Sequence, residues 1–371
     1  MSVRTTPPFR ADHVGSLLRP PELLRAREEL AQGKIDAAQL RAVEDDSIRA
    51  AVRRQEEAGL RSATDGEFRR ASWHMDFIYQ IGGISKTEGT IAVQFRNEKG
   101  LIEFTPAALR VGEKLRLDRT IFEDAFRFLK SVTKVTPKLT IPSPSMVHYR
   151  GGRAAIDEKV YPDLESFYRD LGAVYAKEIA ALAKLGCTYL QLDDTSLAYL
   201  NDPAQREFIA SQGGDREHQH EIYIRLINDA IRDRPAGLTI CTHSCRGNFR
   251  SSWAASGGYD YVAEAVFGRL DVDGFFLEYD DARSGTFAPL RFVPKGKAVV
   301  LGLVTTKRGE LEKKDDLKRR IDEASKYVPL EQLCLSGQCG FSSTVEGNQL
   351  TQDQQWRKLE LIVETAREVW G

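Results

Sequence analysis

ESFYRDLGAVYAKEIAALAKLGCTYLQLDD, residues 165–194, holds one full unit of the pattern on which the fold reading rests. Phe167, Leu171, Val174, Ile179, Leu182 and Leu185 recur close to helical spacing, which predicts an amphipathic helix with one buried stripe. Gly186 supplies the stop, since glycine enters the left-handed conformation of a helix C-terminus without steric cost. CTYLQL then reads as a short strand, and Asp193 and Asp194 close it.

The same order of helix, strand and polar cluster returns in residues 40–67, 220–245, 261–280 and 317–340. Helices alternating with single strands imply parallel βα units. With FRADHVGS (9–16), KLTIPSPS (138–145) and AVVLGLVTT (298–306), the candidate strands number eight, in an order compatible with a closed (β/α)8 TIM barrel. An open doubly wound sheet is the alternative. Asp12, His13, Ser16, Asp65, Glu67, Asp193, Asp194, His243, Cys245, Glu278 and Cys339 all fall at or just past a proposed strand end. This placement favours the barrel, whose strand ends converge on one face where active sites are built. Residues 76–131, with alternating stretches such as TIAVQF, depart from the unit and read as a β-rich insertion after strand 2. The expectation is a single barrel domain over 1–371, with a last helix around Trp356, Leu359, Ile362 and Val369 packed outside the final strand.

Composition narrows the partners. Lys plus Arg total 53 against 54 for Asp plus Glu, a net charge of −1 that gives no electrostatic reason to expect nucleic acid or an anionic membrane. No run of 18 apolar residues occurs and the first residues lack a continuous apolar segment, so a cytoplasmic protein handling small molecules is expected. The five cysteines are too few and too scattered for a disulfide framework, which leaves them as core residues or metal ligands.

CTHSCRGNFR, residues 241–250, places His243 and Cys245 two apart on one strand, so their side chains share a side. Glu278 closes the next strand, GFFLE, and Cys339 follows the last. One imidazole, two thiolates and one carboxylate from three strand ends make a credible Zn2+ site. A lone H-x-C pair is weak by itself, and Cys187, Cys241 and Cys334, each among strand residues, read as small buried hydrophobes. Cys339 lies in the small polar stretch SGQCGFSS, for which a glycine-flanked phosphate loop is the other reading.

DHVGSLLRP, TDGEFRR, LQLDD, THSCRGNF, FFLEYDD and LSGQCG, taken in order, resemble the catalytic C-terminal barrel of cobalamin-independent methionine synthase, and most of all its short single-barrel bacterial relatives. The resemblance implies a (β/α)8 barrel whose zinc ion binds a thiol as its thiolate. It puts the zinc ligands on His243, Cys245, Glu278 and Cys339, and homocysteine on Ser16, Glu67 and Asp193. These substrate residues make physical sense, because two carboxylates can hold an ammonium and a Gly-Ser turn can meet a carboxylate. A salt bridge from Glu67 or Asp193 to Arg69 or Arg70 is the structural alternative.

The methyl-donor half matches less well. The full-length synthase carries a second, N-terminal barrel that contributes to folate binding, and 371 residues leave no room for it. The IPSPSMVHYRGG loop (141–152) has no residue-by-residue match, and after strand 7 LGLVTTKRGELE lacks the family's proton-handling histidine, for which Lys307 or His148 is the expected substitute. The resemblance implies methylation of homocysteine to methionine, with 5-methyltetrahydrofolate or another methyl donor. Epoxide opening by a thiol like coenzyme M and a non-catalytic zinc- and thiol-binding barrel are the alternatives; a sulfonate thiol without an ammonium has no use for both Glu67 and Asp193.

Overall fold

The computed structural model describes residues 4–371 apart from 89–92, 99 and 106–107. Its strands are β1 (Ser62–Ala63), β2 (Gly82–Thr87), β3 (Val93–Asn97), β4 (Gly100–Phe104), β5 (Ala108–Arg116), β6 (Thr136–Pro142), β7 (Tyr189–Asp194), β8 (Thr239–Ser244), β9 (Gly274–Glu278), β10 (Ala298–Val304) and β11 (Leu333–Gly337). The helices are α1 (Pro21–Ala31), α2 (Ala37–Glu57), α3 (Met75–Ile78), α4 (Glu123–Val132), α5 (Ser145–Gly151), α6 (Leu164–Lys184), α7 (Ser196–Tyr199), α8 (Pro203–Ser211), α9 (Gln219–Ile231), α10 (Ala263–Arg269), α11 (Lys314–Ser325) and α12 (Gln352–Trp370).

Seven strands form one parallel sheet in the order β1-β6-β7-β8-β9-β10-β11. Every residue of β7, β9, β10 and β11 is buried, as expected of parallel strands covered on both faces. Beyond β11 the chain near residue 11 adds a parallel bridge: Asp12 N–H donates to Leu335 O and Leu335 N–H to Arg10 O. The inner face of the sheet encloses its own small cluster of Val14, Tyr189, Cys241, Phe276, Val300 and Cys334, separate from the large core between sheet and helices. Cys241 and Cys334 are thus core residues, as expected, and all five cysteines are free thiols.

The second predicted strand, around SATDGE, pairs over only Ser62 and Ala63. Its continuation is taken over by a side chain, because Gln55 of α2 donates its amide N–H to Thr64 O and accepts from Thr64 N–H, each at 2.9 Å. The backbone groups a ladder would use are therefore satisfied without a neighbouring strand.

α6 realises the opening stretch. Asp163 caps it by accepting from Ser166 N–H, the stripe Phe167, Leu171, Val174, Ile179 and Leu182 is buried, and Gly186 follows at φ 95°. Leu185 is only partly buried. Between β1 and β6 the chain makes two antiparallel pairs, β2 with β5 and β3 with β4, before α4. The β3–β4 hairpin is hooked to the loop after β8, where Arg96 N–H donates to Trp253 O (2.7 Å) and Trp253 N–H to Arg96 O (2.9 Å). That contact brings Val93, Phe95 and Phe104 over the strand ends. Among the described residues no helix is long and apolar enough to cross a membrane.

Candidate metal centre and substrate cavity

His243 and Cys245 reach the site because β8 runs in register with β7, Asp193 opposite His243, and Cys245 N–H extends the ladder by donating to Asp194 O. Glu278 ends β9 and Cys339 follows β11. One ligand atom from each of the four residues lies within 4.8 Å of the others. The Cys245 and Cys339 sulfurs are 3.5 Å apart, close to the separation of about 3.8 Å that two thiolates take on one tetrahedral ion.

The donor set fits a metal on a second count. Both ring nitrogens of His243 and Oε2 of Glu278 are buried without a hydrogen-bond partner among the described residues. Leaving such atoms unpaired costs about 1–3 kcal/mol each, so four donors aimed at one point are explained by a cation. The other Glu278 oxygen, Oε1, is held by Arg246 N–H at 3.0 Å, which fixes which oxygen is free. The contact between the two thiols, with His243 beside it, holds the Cys339 thiol well below its usual range despite burial and pushes the Cys245 thiol up, so Cys339 is the readier thiolate.

Beside the cluster lies a cavity of about 290 Å3 lined by Ser16, Glu67, Asp193, His243, Cys245 and Cys339. Glu67 sits in the left-handed region at φ 61°. Its Oε1 accepts from Thr140 Oγ1 (2.8 Å) and lies 3.6 Å from an Arg70 nitrogen, while Oε2 is buried without a partner among the described residues. The salt-bridge alternative thus holds for one oxygen only, and Arg69 is engaged elsewhere, with Glu44 and Asp45. Burial pushes the Asp193 carboxyl up to about 7 against the pull of His243, and its Oδ1 accepts from Gln191 Nε2 at 2.6 Å. Ser16 Oγ accepts from Ser342 N–H (3.2 Å), which leaves its hydroxyl hydrogen free to donate. A Cβ on Gly340 would stand 2.0 Å from that oxygen, so the glycine after Cys339 is what admits Ser16.

Other residues fall elsewhere. His148 is buried on α5, its Nδ1 2.9 Å from Tyr223 Oη and its ring edge-on to Tyr168, and it does not line the cavity. Lys307 stands behind the cluster, 3.7 Å from Asp280, and borders a different cavity. Two of the polar strand-end residues do not join the site face at all. Asp12 and His13 belong to the sheet interior near the strand starts, where Asp12 meets Lys138 (3.1 Å) and Tyr189 Oη (2.8 Å), because β6 and β7 begin there. Asp194 is used by Ser145, Ser196 and the Leu197 N–H, and Asp65 by the Glu67 N–H.

The cavity also holds Trp73, His74 and Arg150, which sequence reasoning did not single out. The available signal was the continuation of TDGEFRR into ASWH: a tryptophan and a histidine on the loop that leaves a strand-end acid.

The parallel α/β fold thus carries a His/Cys/Glu/Cys cluster at its strand ends, next to a cavity with two inward carboxylates. Residues 9–368 match the family described as cobalamin-independent synthase, catalytic domain, and the chain belongs to that family. An uncharacterized protein of Bacillus subtilis (strain 168), YxjH, is 48% identical over 98% of this chain and 95% of its own length. A protein named methionine synthase from Pyrococcus abyssi is 26% identical, covering 88% and 85%. A crystal structure from Listeria monocytogenes, described as a candidate vitamin-B12 independent methionine synthase, superposes with a TM-score of 0.79 at 39% identity, covering 99% of this chain and 100% of that one.

Proposed function

We propose that this protein is a zinc-dependent S-methyltransferase of the cytoplasm that converts homocysteine to methionine, with 5-methyltetrahydrofolate as the first donor to test. The observation that carries the reading is the sharing of one cavity by three of the four cluster residues, His243, Cys245 and Cys339, and by Glu67, whose Oε2 has no partner among the described residues. His243, Cys245, Glu278 and Cys339 would hold the zinc, which when bound supplies the positive charge that keeps a thiol ionised at neutral pH. Glu67 and Asp193 receive the ammonium of the amino acid, and the free Ser16 hydroxyl hydrogen meets its carboxylate. A thiol has a pKa of about 8.5, so these contacts position a group that is otherwise mostly unreactive. The family membership and the name carried by the Pyrococcus relative support the same reaction. We read the whole chain as one closed (β/α)8 barrel with residues 76–131 as an insertion, which the bridge at Ala11 and the separate inner cluster support.

The test incubates zinc-loaded protein with homocysteine and a panel of methyl donors while methionine is followed by mass spectrometry. Methionine is expected with at least one donor and is expected to vanish on chelation. Homocysteine binding without methionine from any donor would move the assignment to another electrophile, such as an epoxide, or to a non-catalytic binder.

A further inference from the structure

Arg150, on α5, borders both the cavity beside the cluster and a second one next to it, and makes no hydrogen bond or ion pair among the described residues. Nearly all other arginines around the site are committed: Arg19 to Ser342, Glu67 and Arg70 oxygens, Arg70 to Thr140, Arg246 to the Glu278 carbonyl, Arg283 to Asp280 and Asp281. A guanidinium has five donors and cannot shed its charge, so an unpaired one at a cavity wall calls for an anion.

His74 lines the same cavity. Its Nε2 is buried without a partner among the described residues, and its ring packs on Trp73 with centroids 4.3 Å apart. The Ser72 hydroxyl, with one hydrogen and two lone pairs, serves either tautomer of His74. The Ser72 hydroxyl oxygen accepts from Met75 N–H (3.3 Å), and its hydrogen is then available to His74 Nδ1 at 3.1 Å. With Nδ1 accepting, the proton of the neutral ring sits on Nε2. Burial and the nearby Arg150 both keep the ring neutral. In that tautomer the unpaired nitrogen is a donor, like the guanidinium, and an anion in the cavity selects it.

We propose that His74 and Arg150 form an oxyanion subsite that receives a carboxylate of the second substrate, the methyl donor. One guanidinium and one neutral N–H match a planar monoanion, whereas a phosphate dianion would leave a negative charge uncompensated. The homocysteine carboxylate is already met by Ser16, at the end of the cavity where Glu67 lies. The walls around the proposed subsite are aromatic: Trp73, and from the hairpin side Phe95 and Phe104, the latter stacked on Phe249 at 4.6 Å. The occupant is thus a flat apolar body with a carboxylate. This assignment of the donor rests on the methyl-transfer reading; the anion subsite itself does not.

The test uses the zinc-loaded protein and two small probes, 4-aminobenzoate and its neutral amide, titrated calorimetrically into wild type, Arg150→Met, His74→Phe and His74→Gln. The acid should bind wild type at least tenfold more tightly than the amide, and Arg150→Met should erase that preference. His74→Phe should weaken the acid several-fold and His74→Gln, which keeps a donor near the Nε2 position, should restore it. Homocysteine affinity and zinc content, unchanged in all variants, exclude misfolding. Equal binding of acid and amide by wild type, no binding of the acid at millimolar concentration, or an acid preference that survives in Arg150→Met each overturns the subsite. If the preference holds but no donor yields methionine, the subsite stands and the methyl-transfer reading falls.

Discussion

Cys245 and Cys339 are the softest donors of the cluster, and the two sulfurs face each other across 3.5 Å. Purified protein should hold about one zinc per chain, and Cys245→Ser or Cys339→Ser should lose most of it, since a hydroxyl replaces a thiolate. Metal analysis that finds full zinc in both variants would remove the centre from these residues. Glu67 carries a different prediction, because only one of its oxygens is paired among the described residues. Glu67→Gln should weaken homocysteine about tenfold, or ~1.4 kcal/mol, while leaving 4-mercaptobutyrate, which lacks the amino group, within about twofold. Equal losses for the two thiols would make Glu67 a structural partner of Arg70. The residue types of this site were legible in the sequence, since each closes a recognisable strand. The free oxygen of Glu67 was not, because it depends on Thr140 and Arg70 arriving from other segments.

At the scale of elements, α6 shows how a helix read correctly from its apolar spacing still hides a polar commitment. Glu178 lies within its buried stripe, and its carboxylate accepts the Ile121 N–H at the start of α4, where the chain returns from the antiparallel pairs. Burial pushes this carboxyl up to about 7, against the pull of the backbone N–H groups. The folded-state value lies above the ordinary carboxyl range, so folding favours the protonated form. The stability this provides is complete below about pH 4.5 and is lost as pH rises through about 7. Glu178→Gln, permanently neutral, should therefore gain on wild type between pH 5 and pH 8, by on the order of 3 kcal/mol at most. Urea unfolding at the two pH values checks it, and a difference between variant and wild type that does not change with pH would sink it. Neither Ile121 nor the cavity walls adjoin Glu178 in sequence, so periodicity alone assigned the position no role.

The whole molecule decides what the substrate meets. Replacing residues 93–104 by a short Gly/Ser linker removes Phe95 and Phe104 from the cavity while leaving the parallel sheet and all four cluster residues in place. Zinc content and homocysteine affinity should hold, and the methyl donor's KM should rise at least tenfold; steady-state kinetics with an unchanged donor KM would show that the hairpin does not serve the second substrate. By itself the sequence determined the βα alternation, the interruption between the second and third strands, and the chemical types at the strand ends, because helical spacing, glycine stops and short polar closures are local signals. The tertiary structure alone decided which strand-end groups meet. Asp12 was drawn into a buried pair with Lys138 and Asp194 into bonds with Ser145 and Ser196, whereas Glu67, Asp193, His243, Cys245 and Cys339 were left facing one cavity. His74 and Arg150, 76 positions apart in the chain, came to line one cavity only through the tertiary fold. Partner choice among buried polar groups depends on distances between segments remote in sequence, and a one-dimensional pattern contains none of those distances.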